Sequence, residues 1–328
     1  MDRRELIGLA TVAAISTRAF AETMATDGSL PSDSKEIIAL WPGTPPGGEG
    51  VTAKSNIIET SKTPDLFHDR AVVHVDVPLL TVYRAARPNG SALLLMPGGG
   101  YGGEFFEREG IEPARVFNQS GITCFILRYR LPGDGWANHS DVPLQDAQRA
   151  MRLIRANAGK YGIDPARIAV IGFSAGGHLA ASLATRFAAK VYAPVDAVDT
   201  QDAKPVVAGL MYPVTTLGNG TNLGTRHWLV GDKADDATLD AYSVDKHIPA
   251  DTSPSFICLA ADDPEAAPFA NGVAMFGALR AAKIPAELHV FERGLHGFTI
   301  RNIAGQPAAI WPQLFMAWAV THGFSITA

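Results

Sequence analysis

The chain is short of cysteine, of charge in one sign, and of long apolar runs. It has two cysteines in 328 residues, too few for a disulfide-stapled scaffold. They also cannot build a four-ligand zinc site alone, and no His-x-x-x-His pair on a helix supplements them. Cys124 and Cys258 each sit inside an apolar run, Ile122–Leu127 and Phe256–Ala261. That context reads as buried thiols acting as small hydrophobes. Neither stands at a helix start, where a thiol would be activated. The net charge is −5, with no run of five basic residues. That excludes the electrostatic footprint of a nucleic-acid binder and predicts no nucleic-acid partner. No segment is long and apolar enough to span a bilayer, so no membrane anchor is expected. Hydrophobic types make up 47%, enough for a large core without staples and too much for disorder.

The first 21 residues read as an address. Arg3-Arg4 precedes the apolar stretch Leu6–Ile15, about ten residues where a spanning helix needs about 20. Ala19-Phe20-Ala21 then offers a small-x-small cleavage site. The pair of arginines resembles a bacterial twin-arginine signal. The expectation is a signal over 1–21, a mature chain over 22–328, and work in the periplasm or outside the cell.

Residues 22–65 are rich in Pro, Gly, Ser and Thr and read as an extended, loop-forming lead-in. Strand patterns follow at 71–77 and 79–84, separated by Pro78, and suggest an antiparallel edge. Further strands are expected at 92–96, 122–129, 168–171, 206–211, 256–260 and 286–291. Helical spacing covers 110–119, 143–158, 175–187, 269–283 and 307–322. Alternation of this kind predicts an α/β fold, a mostly parallel sheet with helices on both faces. No internal repeat or low-complexity linker appears, so a single catalytic domain is expected. Residues 213–253 lack a clear period; an insertion of that length reads as a lid or pocket wall.

Gly172-Phe173-Ser174-Ala175-Gly176 follows an apolar strand and opens an Ala-rich helix. This is the context of a nucleophile elbow. A sharp turn with strained backbone at the serine leaves no room for side chains two residues either side. It also aims the positive helix end at the reacting oxygen. Pro97-Gly98-Gly99-Gly100 ends an earlier strand. Gly99 and Gly100 there, with Ala175, are candidates for backbone donors to an oxyanion. The G-x-G-x-x-G spacing of a dinucleotide fingerprint fails.

A serine hydroxyl needs a base, and the base needs an orienting carboxylate. His227, His247, His289 and His296 follow the elbow and precede the last helix. His296 lies just beyond the end of a strand, where ligands bind in open α/β sheets. His289 is mid-strand and reads as packed. His178, four residues after Ser174 on one helix, cannot reach over the serine oxygen. Asp262 and Asp263 also follow a strand end. Asp263 is the preferred orienting acid, Asp262 the alternative that would cap the next turn, and Glu265 a remote third. Tyr101, Trp136, His139, Trp228 and Tyr242 lie in loops that could wall a substrate pocket; packing is an equal reading for the last four.

These segments together resemble the α/β-hydrolase superfamily. The likeness extends through Leu40-Trp41-Pro42-Gly43, Arg128-Tyr129-Arg130-Leu131-Pro132, Pro143–Ala150, Tyr161–Pro165, Ala261–Pro264 and His296-Gly297-Phe298. The ensemble is similar to bacterial carbohydrate esterases of the acetylxylan or acetyl/feruloyl type. It implies a Ser174–Asp263–His296 triad, an oxyanion hole of Gly99, Gly100 and Ala175, and no metal or organic cofactor. It implies an acetylated or feruloylated oligosaccharide, or a small ester, as substrate. Pro97 stands where lipase-like relatives carry His, and Pro264–Pro268 departs from the usual Val-Pro pattern. The competing classes are a peptidase or amidase on the same scaffold and a non-catalytic binding protein.

Overall fold

The computed structural model describes residues 24, 28–30 and 32–324. The expected signal at 1–21 lies outside the described residues. Ten strands are present among them: β1 (Ile37–Ala39), β2 (Asn56–Glu59), β3 (Arg70–Val73), β4 (Leu79–Tyr83), β5 (Ala92–Met96), β6 (Thr123–Arg128), β7 (Ile168–Phe173), β8 (Ala208–Met211), β9 (Ser255–Ala260) and β10 (Ala286–Phe291). The helices are α1 (Glu112–Gln119), α2 (Val142–Ala156), α3 (Ala158–Tyr161), α4 (Ala175–Arg186), α5 (Leu223–Val230), α6 (Asp236–Ala241), α7 (Ala274–Ala281) and α8 (Trp311–Val320).

Eight strands form one sheet in the order β1-β4-β6-β5-β7-β8-β9-β10. From β6 to β10 every pairing is parallel. β5, β7 and β9 are buried along their whole length, as strands covered on both faces must be. Gly172 of β7 faces α4, since a Cβ there would meet Ala180. Its neighbour Phe173 instead meets Trp311 of α8. Successive strand residues point to opposite faces, so α4 and α8 cover opposite sides. α1 shares the α8 side through Phe117 against Trp311 and Phe315.

Three expectations change. The lead-in over 22–65 contains two strands, and β1 is the antiparallel edge partner of β4. β1 spans only three residues and is set by the open edge of β4 more than by its own pattern. The early pair does not form the edge together either. β4 joins the main sheet, while β3 pairs with β2 in a separate ribbon. The 213–253 stretch holds α5 and α6, both short.

The lead-in is pinned to α2. Trp41 donates its indole N–H to Asp146 at 2.8 Å. Asp146 also takes the backbone N–H of Arg130 at 2.8 Å and its side-chain Nε at 3.0 Å. Both members of that ion pair are fully buried. Gln145 and the Pro46 carbonyl take the remaining guanidinium donors, and Arg149 binds the Leu40 carbonyl. The Trp41, Arg130 and Pro143–Ala150 motifs thus form one buried polar knot. Cys124 and Cys258 are free and buried, and burial pushes both thiols well up.

Candidate active site

β7 delivers Ser174 into a turn that only two glycines allow. Ser174 sits at φ 53°, ψ −117°, a strained conformation costing about 1–3 kcal/mol. A Cβ on Gly172 would lie 2.0 Å from the Gly176 oxygen, and one on Gly176 would lie 2.1 Å from the Met96 oxygen. The Ser174 N–H is held by the Met211 carbonyl at 3.0 Å, and its own carbonyl takes the His178 N–H at 3.1 Å.

His296 follows β10 in a loop where Leu295 and Gly297 both have positive φ, 58° and 77°. Its Nε2 lies 2.7 Å from Ser174 Oγ, and its Nδ1 lies 2.7 Å from Asp263 Oδ2. Asp263 follows β9, and its other oxygen takes the N–H groups of Glu265 and Ala266 at 2.8 and 3.0 Å. Burial works against charge on the imidazole, but the Asp263 carboxylate overcomes it and holds the His296 pKa above the ordinary value. Burial likewise raises Asp263, yet the bond from His296 outweighs it and the carboxyl is held low.

The two adjacent carboxylates do different work. Asp262 Oδ1 takes the Gly294 and Leu295 N–H groups at 3.0 and 2.8 Å. It braces the loop that carries His296 rather than capping the next turn. The turn after β9 is capped by Asp263 instead. His289 pairs with Glu287, and His227 and His247 pair with Asp232 and Asp240; none of the three is recorded in contact with Ser174.

The cleft over Ser174 encloses about 340 Å³. It is lined by Gly99, Gly100, Phe105, Arg108 and Glu109 together with Asn222, Glu265, His296 and Gly297. Phe105 is the one apolar side chain among them. Gly99 needs φ 141°, and a Cβ there would lie 2.3 Å from the Gly103 oxygen. The Gly98 N–H is already committed to Glu109 Oε2 at 2.6 Å. That leaves the N–H groups of Gly99 and Gly100, together with that of Ala175, as the candidate donors to an oxyanion. As the first residue of α4, Ala175 has no intrahelical acceptor for its N–H. A cavity of about 360 Å³ at the β1–β4 edge, around Arg70, contains no catalytic serine or histidine.

None of the five expected pocket side chains lines the cleft. Tyr101 is buried and its hydroxyl bonds to His178 Nδ1 at 2.8 Å. His178 in turn meets the Tyr242 carbonyl at 2.8 Å. Burial pulls the His178 pKa down to about 4, against the opposing pull of that carbonyl, so the ring is a neutral packing group. The Tyr242 side chain lies against Arg186. Trp136 is buried against Arg130. His139 is exposed in a turn before α2. Trp228 is 43% exposed and lies over Gly102 and Gly133, outside the cleft. Loop aromatics were the sequence signal, but which loops face Ser174 is a matter of packing. The polar residues that do line it, Arg108, Glu109 and Asn222, come from segments with no motif of their own. Glu265, which the sequence offers as a remote acid, lines it as well.

Among the described residues no group of three or more His, Cys, Asp or Glu is placed to hold a metal ion. Nor is any helix among them long and apolar enough to cross a membrane.

Comparison with known proteins agrees with this fold. A family model described as alpha/beta hydrolase fold matches residues 93–300. An endo-1,4-beta-xylanase B of Butyrivibrio fibrisolvens is 35% identical over 219 residues, covering 64% of this chain and 33% of that protein. An acetylxylan esterase of Xylanibacter ruminicola is 27% identical, covering 64% and 42%. The chain thus spans between a third and about two fifths of these curated relatives. Among solved structures, an acetyl ester-xyloside bifunctional hydrolase from Caldicellulosiruptor lactoaceticus superposes with a TM-score of 0.71. It is 28% identical, with 89% of this chain and 98% of that chain covered.

Proposed function

The chain belongs to the alpha/beta hydrolase family, and from that premise we propose that it is a serine esterase that removes acetyl groups from xylan-type oligosaccharides. The observation that carries the chemistry is the relay of two 2.7 Å contacts from Ser174 through His296 to Asp263. His296 takes the Ser174 proton as Oγ attacks the ester carbonyl. Asp263 keeps the proton-bearing nitrogen turned away from the serine and steadies the imidazolium that forms. The oxyanion is held by the N–H groups of Gly99, Gly100 and Ala175, each such donor being worth about 2.7–4 kcal/mol in the transition state. His296 then protonates the departing alcohol. Water activated by the same imidazole releases the acid and restores Ser174.

The substrate reading rests on the cleft and on the relatives. Arg108, Asn222 and Glu265 in the lining offer donors and an acceptor to a hydroxylated leaving group. The Arg108 guanidinium lies over the Phe105 ring and pairs with Asp69 at 3.3 Å. With only Phe105 apolar, the cleft favours a short acyl group over a long one. The names of the relatives above supply the sugar class. The twin-arginine start adds the proposal that the enzyme works outside the cytoplasm, which fractionation of cells expressing the full chain tests.

The decisive assay is acetate release from acetylated xylo-oligosaccharides, with Ser174→Ala beside the wild type. Release that vanishes in the variant supports the reading. Ser174-dependent cleavage of an aryl acetate without release from the oligosaccharide removes the xylan assignment and leaves a small-ester esterase. Silence on both substrates points to a larger acyl group such as feruloyl.

A further inference from the structure

Glu109 is a fully buried carboxyl that the scheme above does not use. It stands in the π-helical turn Glu107–Ile111 that leads into α1, and it faces the cleft. Its Oε2 accepts the Gly98 N–H at 2.6 Å. Its Oε1 accepts the Tyr212 hydroxyl at 2.9 Å. Gly98 is the residue just before the two glycines assigned to the oxyanion. The Tyr212 ring meets the His296 ring edge-on, with centroids 5.1 Å apart. Tyr212 is itself held at φ 35° at the end of β8, with its N–H on the Cys258 carbonyl. One carboxyl therefore ties the oxyanion loop to the ring beside the catalytic imidazole.

Three consecutive glycines carry the largest conformational freedom a chain can have. Nothing in their own side chains aims their N–H groups. A donor placed for a developing oxyanion must be rigid before the reaction to be useful. We propose that Glu109 is a positioning residue: by its reach to Gly98 and Tyr212 it sets the oxyanion donors in register with Ser174 and His296. The proposal rests on the Gly99–Gly100 reading given above. Reach, not charge, is the useful property. A carboxylate beside an oxyanion would oppose it. Burial also pushes the Glu109 pKa up, with the Arg108 guanidinium pulling the other way.

Two substitutions separate reach from charge. Glu109→Gln keeps the length and an acceptor for Gly98 but loses the charge. Glu109→Asp keeps the charge and is one methylene too short. Each is assayed on an aryl acetate, with rates normalised to sites titrated by an aryl phosphonate that labels Ser174. Glu109→Gln is expected to hold kcat within about threefold, and Glu109→Asp to lose about thirtyfold in kcat with KM within about threefold. A reversed order, equal losses, or an unchanged pair each overturns the proposal. Tyr212→Phe keeps the ring shape and removes one tie; it should lower kcat about three- to tenfold at constant KM. An unchanged kcat there overturns the proposal even if Glu109→Asp does not fold. Failure of the wild type to take up phosphonate would strike the Ser174 reading instead, and so is distinguishable.

Discussion

Two buried polar networks sit in this molecule, and their motifs stand out equally in the sequence. One is the relay Ser174–His296–Asp263. The other is the knot of Trp41, Arg130, Asp146 and Arg149. Both are built from bonds between about 2.6 and 3.0 Å. They differ in what is left open. In the knot the charges are paired, Arg130 and Asp146 are fully buried, and the contacts join the lead-in to α2. In the relay the serine is strained, the histidine sits between two positive-φ residues, and a cleft opens above them. A conspicuous motif is therefore no guide to chemistry. The strained one, open to a cleft, is the one we propose to be reactive.

Substitutions can break this contrast. Ser174→Ala should lower kcat/KM by on the order of 10⁶-fold, read by ester hydrolysis, with thermal unfolding little changed because the backbone turn is kept and only the Oγ–His296 contact is lost. Asp263→Asn should cost about 10⁴-fold in kcat by presenting the wrong imidazole tautomer. The knot should behave the other way round. Asp146→Ala leaves the buried Arg130 unpaired and should cost about 3–5 kcal/mol of stability, measured by denaturant unfolding. Its kcat per phosphonate-titrated site should stay within about twofold, since distant sites act independently. Large loss of kcat per titrated site in Asp146→Ala would falsify the division between the two networks.

Asp262 sharpens the contrast within one dipeptide. Asp262→Ala frees the Gly294 and Leu295 N–H groups and should cost only about tenfold in kcat, a displaced base rather than a lost one. The smallest effect is in pH. The reaction needs neutral His296, and Asp263 raises its pKa above 6.5. Activity should therefore rise with pH along a limb centred above 6.5. The limb should move down in Asp263→Asn, where the stabilising charge is gone. A limb that stays in place in that variant would separate Asp263 from the titration of His296.

Much of the frame was legible because its causes are local. The elbow states a steric demand in residue types at fixed spacing, and the structure shows the clash each glycine avoids. The fully apolar runs 92–96 and 168–171 could only be covered strands. The edge was misread for the opposite reason. Ile37–Ala39 is too short to carry a period and becomes a strand only where β4 offers free backbone groups. Both early strand patterns were real, but the choice of partner for each is not written in its alternation. The pocket wall failed in the same way. Trp136 and Tyr101 carried the right chemistry for a sugar site, yet Arg130 and His178 took them for packing.

The sequence by itself determined the nucleophile's turn, the buried free thiols, and the alternation that makes a parallel sheet. Each is set within a few residues by sterics or by apolar period. Only the tertiary structure decided which histidine meets Ser174 and which aspartate meets that histidine, because those residues lie 122 and 33 positions apart along the relay. What brings them together is register: Phe173 pairs with Met211, Met211 with Cys258, and Ala260 with Phe291. Parallel strands in that register end at one edge of the sheet. The loops leaving β7, β9 and β10 must then emerge side by side, and that shared edge is where the relay closes.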